Sequence, residues 1–231
     1  TIHPQPVAGT DGSTTVCENS PTVIDLFTLI AGEQPGGVWT RDATSTGGTF
    51  NATTGTFVPA VGATTSTFTY TVTGTAPCGV DTSEAVVNIN AQPVAGTSGT
   101  TTVCENSIAA INLFSLLTGA QTGGVWTRNP GGTGGSFDAT LGTFTPAAGA
   151  TTSVFTYTLT GTSPCANATS TVTVNINPQP NAGLDGSTSV CDDNTAVIDL
   201  FGLITGEQTG GVWTRDLTST GGTFNAAAGT F

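Results

Sequence analysis

Five cysteines, three arginines and one histidine are the residues here whose chemistry goes beyond packing, and their spacing decides what that chemistry can be. Cys17, Cys78, Cys104, Cys165 and Cys191 form no CxxC pair and have no histidine companion, so they lack the spacing of a metal site. Thiols so arranged point to structural disulfides in an oxidising compartment. Each arginine closes a Trp-Thr-Arg triplet: Trp39 with Arg41, Trp126 with Arg128, Trp213 with Arg215. Alternation along a strand puts the Trp and Arg of each triplet on one face. Two uses follow, a structural arginine stacked on aromatics or paired with a carboxylate, or a ligand platform on which a sugar stacks against an exposed indole. His3 has no Ser-His-Asp or Cys-His arrangement to join. No catalytic residue, cofactor or metal is expected, and the chain reads as a non-enzyme.

The acids argue the same way. Asp25, Glu33 and Asp42 are replaced by Asn112, Ala120 and Asn129 and then return as Asp199, Glu207 and Asp216, so no carboxylate cage repeats, and no DxDxDG calcium loop occurs. Fifteen acids against three arginines and no lysine give a formal charge of −12. Such a chain is repelled by nucleic acid and by anionic membrane surfaces. No apolar window is long enough to span a bilayer, and no leader-like segment opens the sequence. Without lysine, a Lys–Asn cross-link is chemically impossible in this segment. Asn51-Ala52-Thr53 and Asn167-Ala168-Thr169 match the glycosylation sequon but do not occupy equivalent positions.

These residues are placed by a repeat. Gln5-Pro6, Gln92-Pro93 and Gln179-Pro180 recur with a period of 87 residues (92 − 5 = 179 − 92), and the same offset carries Cys17 to Cys104 and Cys191 and Phe57 to Phe144 and Phe231. The expected organisation is a tail of a preceding repeat at 1–4, complete repeats at 5–91 and 92–178, and a third at 179–231 cut off after Phe231. The unit is longer than a solenoid repeat and matches one small sandwich domain with its own core.

Within the first repeat, short alternating runs bounded by Gly, Pro, Asn and Ser predict strands at Val7–Cys17, Val23–Phe27, Val38–Arg41, Thr49–Asn51, Thr56–Val58, Ser66–Thr73 and Glu84–Asn90. Phe68, Tyr70 and Val72 alternate with threonines, one face apolar and the other polar. Ile24 to Ile30 reads as a strand running into one helical turn, with Ser20-Pro21 as its cap. Seven strands of this spacing predict an all-β fold of tandem immunoglobulin-like antiparallel sandwiches arranged as a rod.

Strand direction bears on the cysteines. In this winding Cys17 ends an upward strand and Cys78 follows a downward one, which separates them by roughly 30 Å within one sandwich, too far for a bond whose Cα atoms must lie within about 7 Å. Stacking head to tail brings Cys17 to Cys165. Pairing within repeats, Cys17 with Cys78 and Cys104 with Cys165, stays open as the common pattern of small secreted domains.

The runs "VCENSPTVIDLFTLIAGEQPGGVWT", "GTFNATTGTFVP", "TFTYTVTGTAPC" and "AVVNIN" together resemble the immunoglobulin-like repeats of giant Bacteroidota surface proteins, among them gliding-motility adhesins exported by the type IX secretion system. The resemblance implies an extracellular or cell-surface location and use as the stalk of an adhesin or the shaft of a filament. The expected partners are neighbouring repeats, head to tail, with lateral self-association into a fibre a further option. The rival expectation is a multivalent carbohydrate-binding array offering one Trp per repeat.

Overall fold

Alternating Thr-apolar runs can bury only one face, so each must find a second sheet to cover it. In the computed structural model, which describes residues 2–231, this happens twice. The first sandwich is built from β1 (Gly12–Cys17), β2 (Ile24–Asp25), β3 (Val38–Arg41), β4 (Thr49–Asn51), β5 (Thr56–Val58), β6 (Ser66–Thr73) and β7 (Val80–Asn90). The second is built from β8 (Gly99–Cys104), β9 (Ile111–Asn112), β10 (Val125–Arg128), β11 (Ser136–Asp138), β12 (Thr143–Thr145), β13 (Ser153–Leu159) and β14 (Ala168–Asn177). Each pairs a four-stranded sheet, β1-β7-β6-β3 or β8-β14-β13-β10, with a three-stranded one, β2-β5-β4 or β9-β12-β11. The fold is all-β and immunoglobulin-like.

The core follows from the alternation. Ser66, Phe68, Tyr70 and Val72 of β6 point inward, as do Ser83, Ala85 and Val87 of β7. They meet Ile24, Leu26, Trp39 and Phe57, and the equivalent cluster of the second sandwich holds Leu113, Trp126, Phe144, Phe155, Tyr157, Val172 and Val174.

The strand pairs are antiparallel but for one in each sandwich: β1 runs parallel to β7, with Gly12 opposite Ala85 and Cys17 opposite Asn90, and β8 runs parallel to β14. A parallel neighbour needs a long connection, and β2 to β6 supply it. The strand expected over Val7–Cys17 is broken. Val7 to Thr10 pair instead with the segment that precedes β3, through Gln34 N–H to Val7 O at 2.8 Å and a bridge between Thr10 and Ala31. Gly9, at φ +97°, turns the chain there, and a Cβ on it would stand 2.9 Å from Ala31 O. Only beyond this turn does the chain join β7.

The segment from Ile24 is a two-residue strand followed by a 3-10 turn, Leu26–Thr28. Its cap is Asp25, whose carboxylate accepts from Phe27 N–H at 3.1 Å, and not Ser20. Asn112 and Asp199 accept from Phe114 and Phe201 in the same way. Asp and Asn can exchange here because the turn asks for an acceptor and not for a charge.

Candidate functional site

Two of the three Trp-Thr-Arg triplets place their indole in a core. Trp39 is 2% exposed and Trp126 5%. Trp39 packs edge-on against Phe27 at 5.4 Å between centroids and tilted against Tyr70 at 5.1 Å. Trp126 and Tyr157 repeat the second contact at 5.0 Å. With both indoles covered, neither presents the face on which a sugar would stack. Trp213 is half-buried.

Arg41 lies on the same side of β3 as Trp39. Its guanidinium sits 5.0 Å from the centroid of Phe57 and donates to Gly47 O at 2.6 Å, Thr46 O at 3.1 Å and Ser66 Oγ at 2.8 Å. Burial lowers its pKa, through desolvation. Arg128 stacks on Phe144 at 5.1 Å and donates to Ser153 Oγ at 2.7 Å, and Arg215 stacks on Phe231 at 5.0 Å. Arg41 and Arg215 tie the loop before β4, or its counterpart, to an aromatic ring, whereas Arg128 bonds only to the β13 hydroxyl; the partners of all three are oxygens and rings rather than carboxylates.

The sequence places Tyr70 on the apolar face of β6 without showing what its hydroxyl does. Tyr70 OH donates to Gln34 O at 2.8 Å and accepts from Gly37 N–H at 2.8 Å; Tyr157 does the same with Gln121 and Gly124 at 2.7 and 2.8 Å. Gly37 is required by this approach, since a Cβ would come within 2.5 Å of the ring. The signal was present as a Tyr and a Gln-x-Gly-Gly repeating together at the 87-residue offset.

The remaining chemistry gathers where the two sandwiches meet. Cys17, at the end of β1, is disulfide-bonded to Cys165, in the turn before β14, with Cα atoms 5.0 Å apart. Of the two pairings the spacing left open, this is the one across repeats. Around it, Cys165 Sγ lies 3.3 Å from Asn90 O, and Asn90 Nδ2 donates to Ser163 O at 2.7 Å. Cys78, Cys104 and Cys191 are free thiols. Cys78 Sγ nevertheless lies 3.5 Å from His3 O, repeating at one period's remove the contact of Cys165 with Asn90. His3 thereby serves through its backbone.

A carboxylate completes the junction and was also missed. Glu18 accepts from Gln92 N–H at 3.0 Å and from Gly62 N–H at 2.8 Å. Glu105 accepts from Gln179 N–H at 3.0 Å and Gly149 N–H at 2.9 Å. The bonds from Gln179 and then Gly149 hold the Glu105 carboxyl below the usual carboxylate range. Each glutamate thus binds the first residue of the following repeat to a loop of its own sandwich. The repeated Cys-Glu pair was the available clue.

Other acids close local turns. Asp42 and Asp216 accept from the hydroxyl and amide of Thr44 and Thr218, which lowers both pKa values. Among the described residues no three His, Cys, Asp or Glu side chains gather as metal ligands would, and no helix is long and apolar enough to cross a membrane.

No known family and no curated protein matches the sequence. Solved structures resemble it at low identity. A three-domain titin fragment, I67–I69 in an E-to-A variant, is 9% identical over 76% of this chain and 66% of its own, with a TM-score of 0.41. Human protocadherin-24 EC1-2 is 14% identical over 78% of this chain and all of its own, at 0.39. Sidekick-1 immunoglobulin domains 1–5 are 10% identical over 77% of this chain and 40% of their own, also at 0.39. This chain therefore spans just under two thirds of the titin fragment and less than half of the Sidekick-1 fragment. At such scores the likenesses carry no argument, and the fold rests on the strand order above.

Proposed function

We propose that this chain is a length of shaft, built of domains at 5–91 and 92–178 with a further copy of the unit beginning at 179, in a secreted or cell-surface adhesin or filament. Its role is mechanical rather than catalytic. The observation that carries the reading is the bond from Cys17 to Cys165, which closes a junction between successive sandwiches. A linker already shortened to Ala91-Gln92-Pro93 is restrained there three times: by proline's fixed φ, by the Glu18 carboxylate and by the cystine. Each repeat would add roughly 35–40 Å to the shaft.

The disulfide supports an oxidising, extracellular setting. Burial of Trp39 and Trp126 favours the shaft over the glycan-binding array, whose indoles would have to be open. Edge strands β3 and β10, with Val38 and Val125 facing outward, support lateral association of such shafts into a fibre. Origin in a Bacteroidota surface protein and type IX export are part of the proposal on the sequence motifs alone.

Electron microscopy of the oxidised chain tests it. The two sandwiches should lie end to end at a narrowly distributed angle that broadens on reduction. A broad distribution in the oxidised chain refutes the shaft, as would glycan binding that is lost on replacing Trp39 or Trp126.

A further inference from the structure

We infer that the Cys17–Cys165 bond is a mechanical shunt: tension along the chain bypasses almost all of both sandwiches, so that neither can pay out its length. The inference deepens the shaft reading and rests on it for its biological sense. It comes from connectivity. A pull between Gln5 and Gln179 follows the backbone to Cys17, crosses the disulfide, and continues from Cys165 through β14 to Gln179. Everything between the two cysteines, a sequence separation of 148, lies in a closed loop outside that path. Strands β2 to β13 are all inside the loop.

The sheet order places the loaded segments well. Asn90, at the end of β7, is the register partner of Cys17, and β8 is the parallel partner of β14. Two covalent threads therefore cross the junction side by side: β1 through the cystine into β14, and β7 through residues 91–98 into β8. In each sandwich the two threads are neighbouring parallel strands of one sheet, with six register pairs between them. A pull on one thread loads those pairs along the strand direction. Cys78 stands before β7 as Cys165 stands before β14, and Cys104 ends β8 as Cys17 ends β1. The same staple can therefore recur at every 87-residue step.

The difference is large. At about 3.5 Å per extended residue, the shunted path from Gln5 to Gln179 reaches about 100 Å, against about 600 Å for the unshunted chain. Single-molecule stretching of the whole chain between its termini, oxidised and as Cys17→Ser, reads this directly. The oxidised chain should reach a final contour length shorter by about 500 Å than the variant. Adding reductant to the stretched wild-type chain should release the missing length in one step, a readout that does not depend on the variant folding. Cys104→Ser should leave the oxidised contour length unchanged. Equal contour lengths for the oxidised chain and Cys17→Ser, or no release on reduction, overturn the shunt. The two readings fail separately: freely jointed but shunted sandwiches sink only the shaft, and a straight rod that lengthens fully while oxidised sinks only the shunt.

Discussion

Residues 92–144 and 179–231 carry one pattern at the 87-residue offset, yet only the first is a folded half of a sandwich. Residues 92–144 hold β8 to β11 and the start of β12, bury Trp126 and leave Phe144 with no exposed surface. In 179–231 the described residues hold no strand, only the 3-10 turn Phe201–Leu203 and isolated bridges, and Phe231 is 38% exposed. What survives is local. Phe201 still meets Trp213 edge-on at 5.4 Å, Asp199 still accepts from Phe201 N–H, and Arg215 still stacks on Phe231. The contrast is non-local: β8 and β10 are held by β14 and β13, whereas among the described residues no strand pairs with 186–191 or 212–215. Contacts near in sequence need little loop closure, whereas a strand gains its ladder only when a distant partner arrives.

The largest effect expected from this comparison comes from supplying the partners. A chain extended after Phe231 by a copy of residues 145–178 should form a third sandwich, gaining strand signal in circular dichroism and shifting Trp213 emission to the blue. Unchanged emission would mean that the local sequence of 179–231, and not the absent strands, keeps it open.

Next in size is the junction bond. Closing a loop of 148 residues is worth about 5 kcal/mol on a chain-entropy basis when both sandwiches unfold. Cys17→Ser should therefore lower the denaturant midpoint strongly, while Cys104→Ser should barely move it. Equal effects would show that the two thiols are equivalent, contrary to the structure.

Trp126→Ala should cost about 3–5 kcal/mol, the usual range for deleting a buried large aromatic. Trp213→Ala should cost under about 1 kcal/mol, because its surroundings are half-open. Denaturation curves of the two variants check this, and similar losses would erase the contrast between the regions.

The smallest effect is at the Glu105 clamp. A carboxyl whose folded pKa is depressed contributes stability above its unfolded value, near pH 4.3, that is lost as pH falls through the folded value. Between pH 5 and 2 the amide resonances of Gln179 and Gly149 should shift together, and Glu105→Gln should abolish that titration. Independent behaviour of the two amides would separate them from a shared carboxylate.

Much of this was readable in the residues. The bounds of β3, β4, β5 and β6 follow from alternation between glycine-rich turns, because a strand with one covered face must alternate. The turn after Asp25 was legible, although its cap was misplaced at Ser20, since several polar residues nearby could serve and only the fold selects one. The break at Gly9 was not legible, because the pairing of the preceding residues depends on Ala31 and Gln34, over twenty residues away. The buried indoles could be weighed but not decided, because Trp39 is covered by Phe27 of the 3-10 turn and Tyr70 of β6.

By itself the sequence determined the repeat length, the all-β class, the inward faces of the strands and the set of cysteines able to pair. Those follow from local periodicity and composition, which each segment carries with it. Only the tertiary structure decided that β1 lies parallel to β7, that Cys17 reaches Cys165, and that Glu18 and Glu105 hold the next repeat's first amide. Each of these depends on which distant segments become neighbours, and that is fixed by the packing of two sheets and two successive sandwiches against one another.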